Sequence, residues 1–187
     1  MIGINTSGDN FDSNFNLATE EYAEIVRDIA ERDLPMEIPN RHIDHAAVLE
    51  NEILRLTARR VLIVTGTFPE LIYEKIKNQF VAALRREVLV EIILADATAP
   101  VAELHELIRK FPNLQVHRWC PAQRRDINHF MVSDGKRMRL EDIHPQQDFK
   151  TNPSIKAKAS FNDEESAASL DEAFKNLRGE SQPFATA

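Results

Sequence analysis

The sequence contains very little cysteine and glycine, and no long apolar run. Its one cysteine, Cys120, excludes an internal disulfide framework and favours a reducing compartment. Five glycines are too few to assemble a glycine-rich nucleotide-binding loop. No apolar stretch approaches the roughly 20 residues that span a bilayer, and the first residues resemble neither a signal nor a transit peptide. We therefore expect a soluble, cytoplasmic protein without a membrane partner.

Basic residues are outnumbered by acidic ones, 23 to 30, and clusters of metal ligands are scarce. The formal net charge of −7 argues against a general nucleic-acid binder, although it is compatible with a local basic patch. His42 and His45 lie beside Asp44 at a predicted helix start, but no third ligand at a diagnostic spacing accompanies them. We therefore expect helix-capping or surface roles for these side chains, and neither a metal ion nor another cofactor.

Apolar periodicity predicts alternating helices and strands along most of the chain. The helices are expected at residues 19–32, 43–59, 69–86, 100–110 and 163–178. The strands are expected at residues 61–66, 88–94, 114–119 and 156–161, with two more in a hairpin over 129–141. Because buried strands alternate with helices, we expect an α/β fold whose mixed, mostly parallel sheet is flanked by helices on both faces.

The polar composition of the two ends sets the expected domain boundaries. Residues 1–40 are predicted to form an arm and an N-terminal helix, followed by a short extended connector at residues 35–39. Residues 41–179 are predicted to form the α/β domain, and residues 180–187 a C-terminal tail.

The predicted hairpin concentrates the side chains that could do chemistry. Asp134 and Gly135 form the turn signal between its strands. Arg139 and Glu141 lie two apart on one strand and so share a face, where they form either a fixed ion pair or two solvated charges. His129 is either a phosphate-contacting residue or a half-buried strand histidine. Turn chemistry alone accounts for Asp134.

The order of these segments resembles one half of the phospholipase D superfamily. The resemblance covers roughly residues 43–178, through LTARRVLIVTGTF, VLVEIILAD, LQVHRW, HFMVSDGK and the closing ASFNDEESAASLDEAFKNL. It implies the superfamily's fold. The superfamily's motif is His-x-Lys, then four residues and Asp. Its reaction is phosphodiester transfer, in which the histidine attacks phosphorus and the lysine holds phosphate oxygens.

The hairpin departs from this motif at its two leading positions. With Asp134 aligned to the motif aspartate, His129 takes the place of the lysine and Ile127 that of the nucleophile. Isoleucine has no nucleophilic atom and no proton to give. The resemblance therefore implies a single, degenerate motif and a non-catalytic member.

Arginines near the hairpin suggest a retained anion site. Arg118, Arg124, Arg125 and Arg139 lie where the resemblance places the phosphate pocket, and guanidinium groups bind phosphate bidentately. Such arginines can also be solvated or paired with acids.

Three functions follow from these features. The first is a binding or assembly module in a bacterial complex connected with nucleic-acid processing. It would act as a homodimer or with another protein, and would reach nucleic acid through a local basic patch. The second is a divergent phosphodiesterase or nuclease that uses His129 with Asp134 and Glu141. The third is a phosphate-ligand sensor.

Overall fold

The computed structural model describes residues 19–66, 70–96, 102–123, 126–143 and 152–184. The helices are α1 (Thr19–Glu31), α2 (Ile43–Leu56), α3 (Glu70–Arg85), α4 (Ala102–Lys110) and α5 (Glu164–Gly179). The strands are β1 (Ile38–His42), β2 (Arg60–Thr65), β3 (Leu89–Leu94), β4 (Leu114–Trp119), β5 (His129–Ser133), β6 (Arg137–Glu141), β7 (Ser154–Ser160) and β8 (Ser181–Pro183). Among these helices, none has the length and apolar character that crossing a bilayer requires.

All of these strands lie in one sheet, in the order β1-β7-β6-β5-β2-β3-β4-β8. The α/β fold is confirmed, but the prediction of a mostly parallel sheet is wrong. Only the β2–β3 and β3–β4 pairs of the described strands are parallel. The remaining neighbours pair antiparallel. Of these, β5 and β6 are joined by a tight hairpin, which needs no helical crossover.

Two hydrophobic clusters hold the helices on the two faces of the sheet. The first core cluster brings α1, α2, α3 and α4 onto one face, with Tyr22, Leu49 and Phe80 among its buried members. The second core cluster lies under α5 and includes Phe174. Val61–Val64 are buried because both faces of β2 are covered, as the continuous apolar run predicts.

Short polar segments account for the differences from the predicted elements. β1 begins inside the predicted connector, at residues 38 and 39, and pairs with β7. β8 lies in the predicted tail and pairs with β4. Neither segment alternates polar and apolar residues over enough length to signal a strand. β1 crosses the position between residues 40 and 41. The domain boundaries at 40/41 and 179/180 stay predictions.

The start of α2 matters for the site, because the chain at this point directs the side chain of Asn40 into the protein interior. The N-cap is His42, whose Nδ1 accepts a hydrogen bond from the Asp44 amide at 3.1 Å. The cap is therefore neither Asn40 nor Asp44, although both residue types favour that position. Asn40 is instead fully buried, and its Nδ2 donates to the His42 carbonyl at 2.8 Å.

Candidate functional site

One edge of the sheet gathers part of the set of residues that the motif resemblance selects. The carboxyl ends of β1, β2, β3, β4 and β6 meet there, and we call it the carboxyl edge. His129, at the start of β5, lies opposite Glu141, at the end of β6. A Cβ atom added to Gly66, just after β2, would lie 3.5 Å from the His129 ring. The ring therefore lies against backbone that has no side chain of its own.

A buried ionic network lies behind His129 on the face covered by α2. We call Arg139, Glu141, Glu50 and Asn40 the Arg139 network. The Arg139 guanidinium donates to Glu141 Oε2 at 2.6 Å and to Asn40 Oδ1 at 3.0 Å, and its Nη1 lies 3.4 Å from Glu50 Oε1. Arg139 is 4% exposed. Of the two sequence interpretations of Arg139 and Glu141, the structure has the fixed ion pair.

The two carboxylates of the network have pKa values displaced in opposite directions. Burial raises the pKa of Glu50 to about 7, and the attraction of Arg139 offsets this only in part. Burial also opposes ionisation of Glu141, but hydrogen bonds from His129 and Arg139 and their positive charges outweigh it and lower its pKa to about 2. Glu141 is therefore the ionised partner of Arg139 at neutral pH, while Glu50 is poised between its two protonation states.

His129 links this network to the surface. Its side chain is 29% exposed, and its Nδ1 lies 3.7 Å from Glu141 Oε1. The neighbouring Asn128 donates from Nδ2 to the Glu141 carbonyl at 2.9 Å, which fixes the backbone beside the pair. A histidine held by a buried carboxylate can donate a hydrogen bond to a ligand or accept a proton from one.

Ile127 and Asp134 have structural surroundings. The partly buried Ile127 packs against the second core cluster. Asp134 lies at the opposite edge of the sheet, about 15 Å along the hairpin from Glu141 at the usual rise of a strand. Its carboxylate accepts hydrogen bonds from the amides of residues 58–60 at 2.8–3.0 Å. Burial raises its pKa, but these hydrogen bonds and Arg137 outweigh burial and hold the pKa below its usual value.

The structure thus brings together only part of the set predicted from sequence. His129, Glu141 and Arg139 converge, while Asp134 stabilises a turn elsewhere. Arg118 is exposed on β4, four strand positions from β6 and therefore about 19 Å away at normal strand spacing. Arg124 and Arg125 lie outside the described residues. An anion site built from the four arginines stays a prediction.

Two members of the Arg139 network, Glu50 and Asn40, were missed from sequence. Glu50 does carry a signal, because it follows Leu49 and precedes Ile53 on a helical face that is otherwise apolar. A carboxylate in such a stripe requires a buried partner. Asn40 has no comparable signal, since its role depends on strand β1 and on Arg139, which is 99 residues away.

Comparisons with known proteins identify the fold. No protein-family model matches the chain, and no curated protein matches it. Nuc from Salmonella typhimurium, a phospholipase D family member, superposes with a TM-score of 0.60 and 15% identity, over 80% of this chain and 98% of Nuc. NucT from Helicobacter pylori superposes with a TM-score of 0.60 and 16% identity, over 80% of this chain and 99% of NucT.

A third similar structure is that of TrmBL2, an archaeal chromatin protein whose structure shows a mode of DNA binding. It superposes with a TM-score of 0.61 and 14% identity over 88% of this chain, which spans 60% of the TrmBL2 chain. At such identities these similarities establish architecture and not activity. The chain has a phospholipase D-like fold.

Proposed function

We propose that this chain is a non-catalytic, phospholipase D-like binding or assembly module. The observation that carries the proposal is the pairing of Arg139 with two carboxylates, Glu141 and Glu50, behind the degenerate motif. A phosphodiester is an anion, and the positive charge of the buried guanidinium is already neutralised by Glu141 once that carboxyl group is ionised. Ile127, at the position of the nucleophile, supports the same conclusion because it cannot attack phosphorus.

The module would act as a subunit of a bacterial protein complex connected with nucleic-acid processing, either as a homodimer or with a different protein. The outward face of α1 supports a protein contact. α1 buries Tyr22, Val26 and Ile29 in the first core cluster, while Ile25 on its other face is 41% exposed. The likeness to TrmBL2, which binds DNA, supports the nucleic-acid context.

A turnover assay tests the absence of catalysis. Purified protein is incubated with single- and double-stranded DNA and RNA, with and without divalent metal. We expect no cleavage above that of a blank preparation. Size-exclusion chromatography with light scattering tests the homodimer, and a monomer at every concentration would leave another protein as the partner. Cleavage that co-purifies with the protein would contradict the proposal if it depends on His129.

A divergent phosphodiesterase is the second candidate, and the contact between His129 and Glu141 favours it. A partly exposed imidazole oriented by a buried carboxylate is the arrangement that a nucleophile or general acid requires. In this case His129→Ala and His129→Gln would both abolish turnover. The matched control is His105→Ala, which changes a histidine on α4 that packs against Phe184. Equal turnover in all three variants would exclude His129 as the catalytic group.

A further inference from the structure

Exposed cations are concentrated at the edge of the sheet opposite the carboxyl edge. At this amino edge α2, α3 and α4 end, and the neighbouring parallel strands β2, β3 and β4 begin. The last turns of these helices and the residues that follow them carry exposed basic side chains. We call this set the basic ridge: Arg59, Arg85, Arg86, Arg109 and Lys110.

Hydrogen bonds hold the turns of the basic ridge side by side. The Leu89 amide donates to the Arg59 carbonyl at 2.9 Å, which joins the starts of β2 and β3. Asn113, before β4, donates from Nδ2 to the carbonyls of Leu84 and Val88 at 3.0 and 2.7 Å. The Arg86 guanidinium donates to the Leu54 carbonyl at 2.8 Å and so ties α3 to α2. The ridge is therefore a fixed row about 10 Å long from β2 to β4 at normal strand spacing.

Three guanidinium groups in this row are available to a ligand. Within the part of the chain that the structure describes, Arg59, Arg85 and Arg109 are exposed and pair with no carboxylate. Glu87 is the one acid in the three turns at residues 57–59, 86–88 and 111–113. Cations at helix C-termini do favour the helix dipole. That effect does not require three unneutralised guanidinium groups on neighbouring strands of a protein whose net charge is −7.

We propose that the basic ridge binds the phosphate backbone of double-stranded nucleic acid. Guanidinium groups bind phosphate oxygens bidentately, and a fixed row of them can follow successive phosphates. A membrane surface fits less well, because stable attachment requires an apolar anchor besides the cations. The exposed large hydrophobic residues among the described positions are Ile25 and Ile143, which lie on α1 and after β6, and neither belongs to the ridge. Contacts between guanidinium groups and phosphates do not distinguish one base sequence from another.

This binding surface is separate from the Arg139 network. Asp134, at the hairpin turn, accepts hydrogen bonds from the amides of Arg59 and Arg60 at the amino edge, whereas His129 and Glu141 lie at the carboxyl edge. A duplex bound to the basic ridge would not contact the residues of the degenerate motif at the carboxyl edge. The proposal therefore stands or falls independently of whether the carboxyl edge has any turnover.

Fluorescence anisotropy of a labelled DNA duplex of about 20 base pairs, titrated at several salt concentrations, tests the proposal. A ridge variant removes three charges through R59Q, R85Q and R109Q. A matched control removes three charges from lysines that are ion-paired elsewhere, through K77Q, K156Q and K158Q. Thermal melting of both variants checks that they remain folded. The same titration with an RNA duplex, and with vesicles containing phosphatidylserine, separates the anionic partners.

We expect the wild-type protein to bind both duplexes at about 50 mM salt, and the ridge variant to bind at least about tenfold more weakly. The log–log salt slope should fall by up to about 3 in the ridge variant, because each lost phosphate contact removes close to one unit. The control should stay within about twofold of the wild type. Absence of duplex binding, equal losses in the two variants, or tighter binding to vesicles than to duplexes would each overturn the proposal.

Discussion

Replacing Glu50 with glutamine is expected to stabilise the protein above neutral pH and to change little in acid. Glutamine keeps the shape of the side chain but cannot ionise. Burial raises the folded-state pKa of Glu50 from 4.5 to about 7. A raised pKa means that the bound proton stabilises the fold fully below about pH 4.5, and that this stability is lost as the pH rises to about 7. The shift corresponds to about 3 kcal/mol. The glutamine variant has no such loss.

Urea denaturation between about pH 5 and pH 8 measures this difference. The free energy of unfolding of Glu50→Gln minus that of the wild type should grow with pH by up to about 3 kcal/mol. The matched control is Glu24→Gln on the exposed side of α1, for which we expect a change of less than about 0.5 kcal/mol. A Glu50→Gln difference that is constant with pH, or that shrinks as the pH rises, would refute the assignment of Glu50 as a carboxyl group destabilised by burial.

Three further substitutions test the other polar contacts. Glu141→Gln should destabilise the protein by about 3 kcal/mol at neutral pH, and should remove the acid sensitivity that the lowered pKa of Glu141 predicts as the pH falls from 4.5 towards 2 in urea titrations. Asp134→Ala removes a carboxylate that accepts three backbone hydrogen bonds, and should lower the melting temperature by an amount equivalent to about 2–4 kcal/mol, whereas a wild-type melting temperature would contradict its turn role. His117→Leu should keep or raise stability by about 1 kcal/mol at neutral pH, because neither ring nitrogen of the buried histidine has a hydrogen-bond partner among the described residues. Burial and Arg178 lower the pKa of His117 to about 4. The free energy of unfolding is therefore unaffected by this group above about pH 6.5 and decreases as the pH falls through 4, because protonation favours the unfolded state. His117→Leu should abolish this decrease in acid denaturation curves.

The central strands were predictable because each consists largely of consecutive apolar residues, a pattern that indicates a buried strand. β4 has the bounds predicted for it, and β2 and β3 differ from the predicted strands by a residue at their ends. The pairing of the strands, parallel or antiparallel, was not predictable in the same way. β1 contains Pro39, which suits an edge strand, where one face of the backbone needs no hydrogen-bond donor. Its pairing with β7 depends on a partner more than a hundred residues away.

In the candidate site, too, the contacts between residues close in sequence were predictable, and those between distant residues were not. The two-residue spacing of Arg139 and Glu141 places them on one face and makes their ion pair predictable. The position of Asp134 at a turn is also local. Glu50 and Asn40 reach Arg139 only after α2 and β1 pack on the sheet. The alignment to the motif predicts that the nucleophile is absent, and the fold adds that Arg139 is paired with Glu141 and Glu50.

The distribution of charge between the two edges reconciles the proposed duplex binding with the composition of the protein. Its net charge of −7 argues against contact with nucleic acid. At the carboxyl edge that argument holds, because Arg139 is buried against Glu141 and Glu50. At the amino edge the argument does not apply, because the side chains of Arg59, Arg85 and Arg109 are exposed and pair with no carboxylate among the described residues. Electrostatic attraction acts over about 10 Å at physiological salt, so a duplex meets the ridge and not the sum of all charges. The two proposals are therefore compatible, because a module without a reaction at the carboxyl edge can still bind a polyanion at the amino edge.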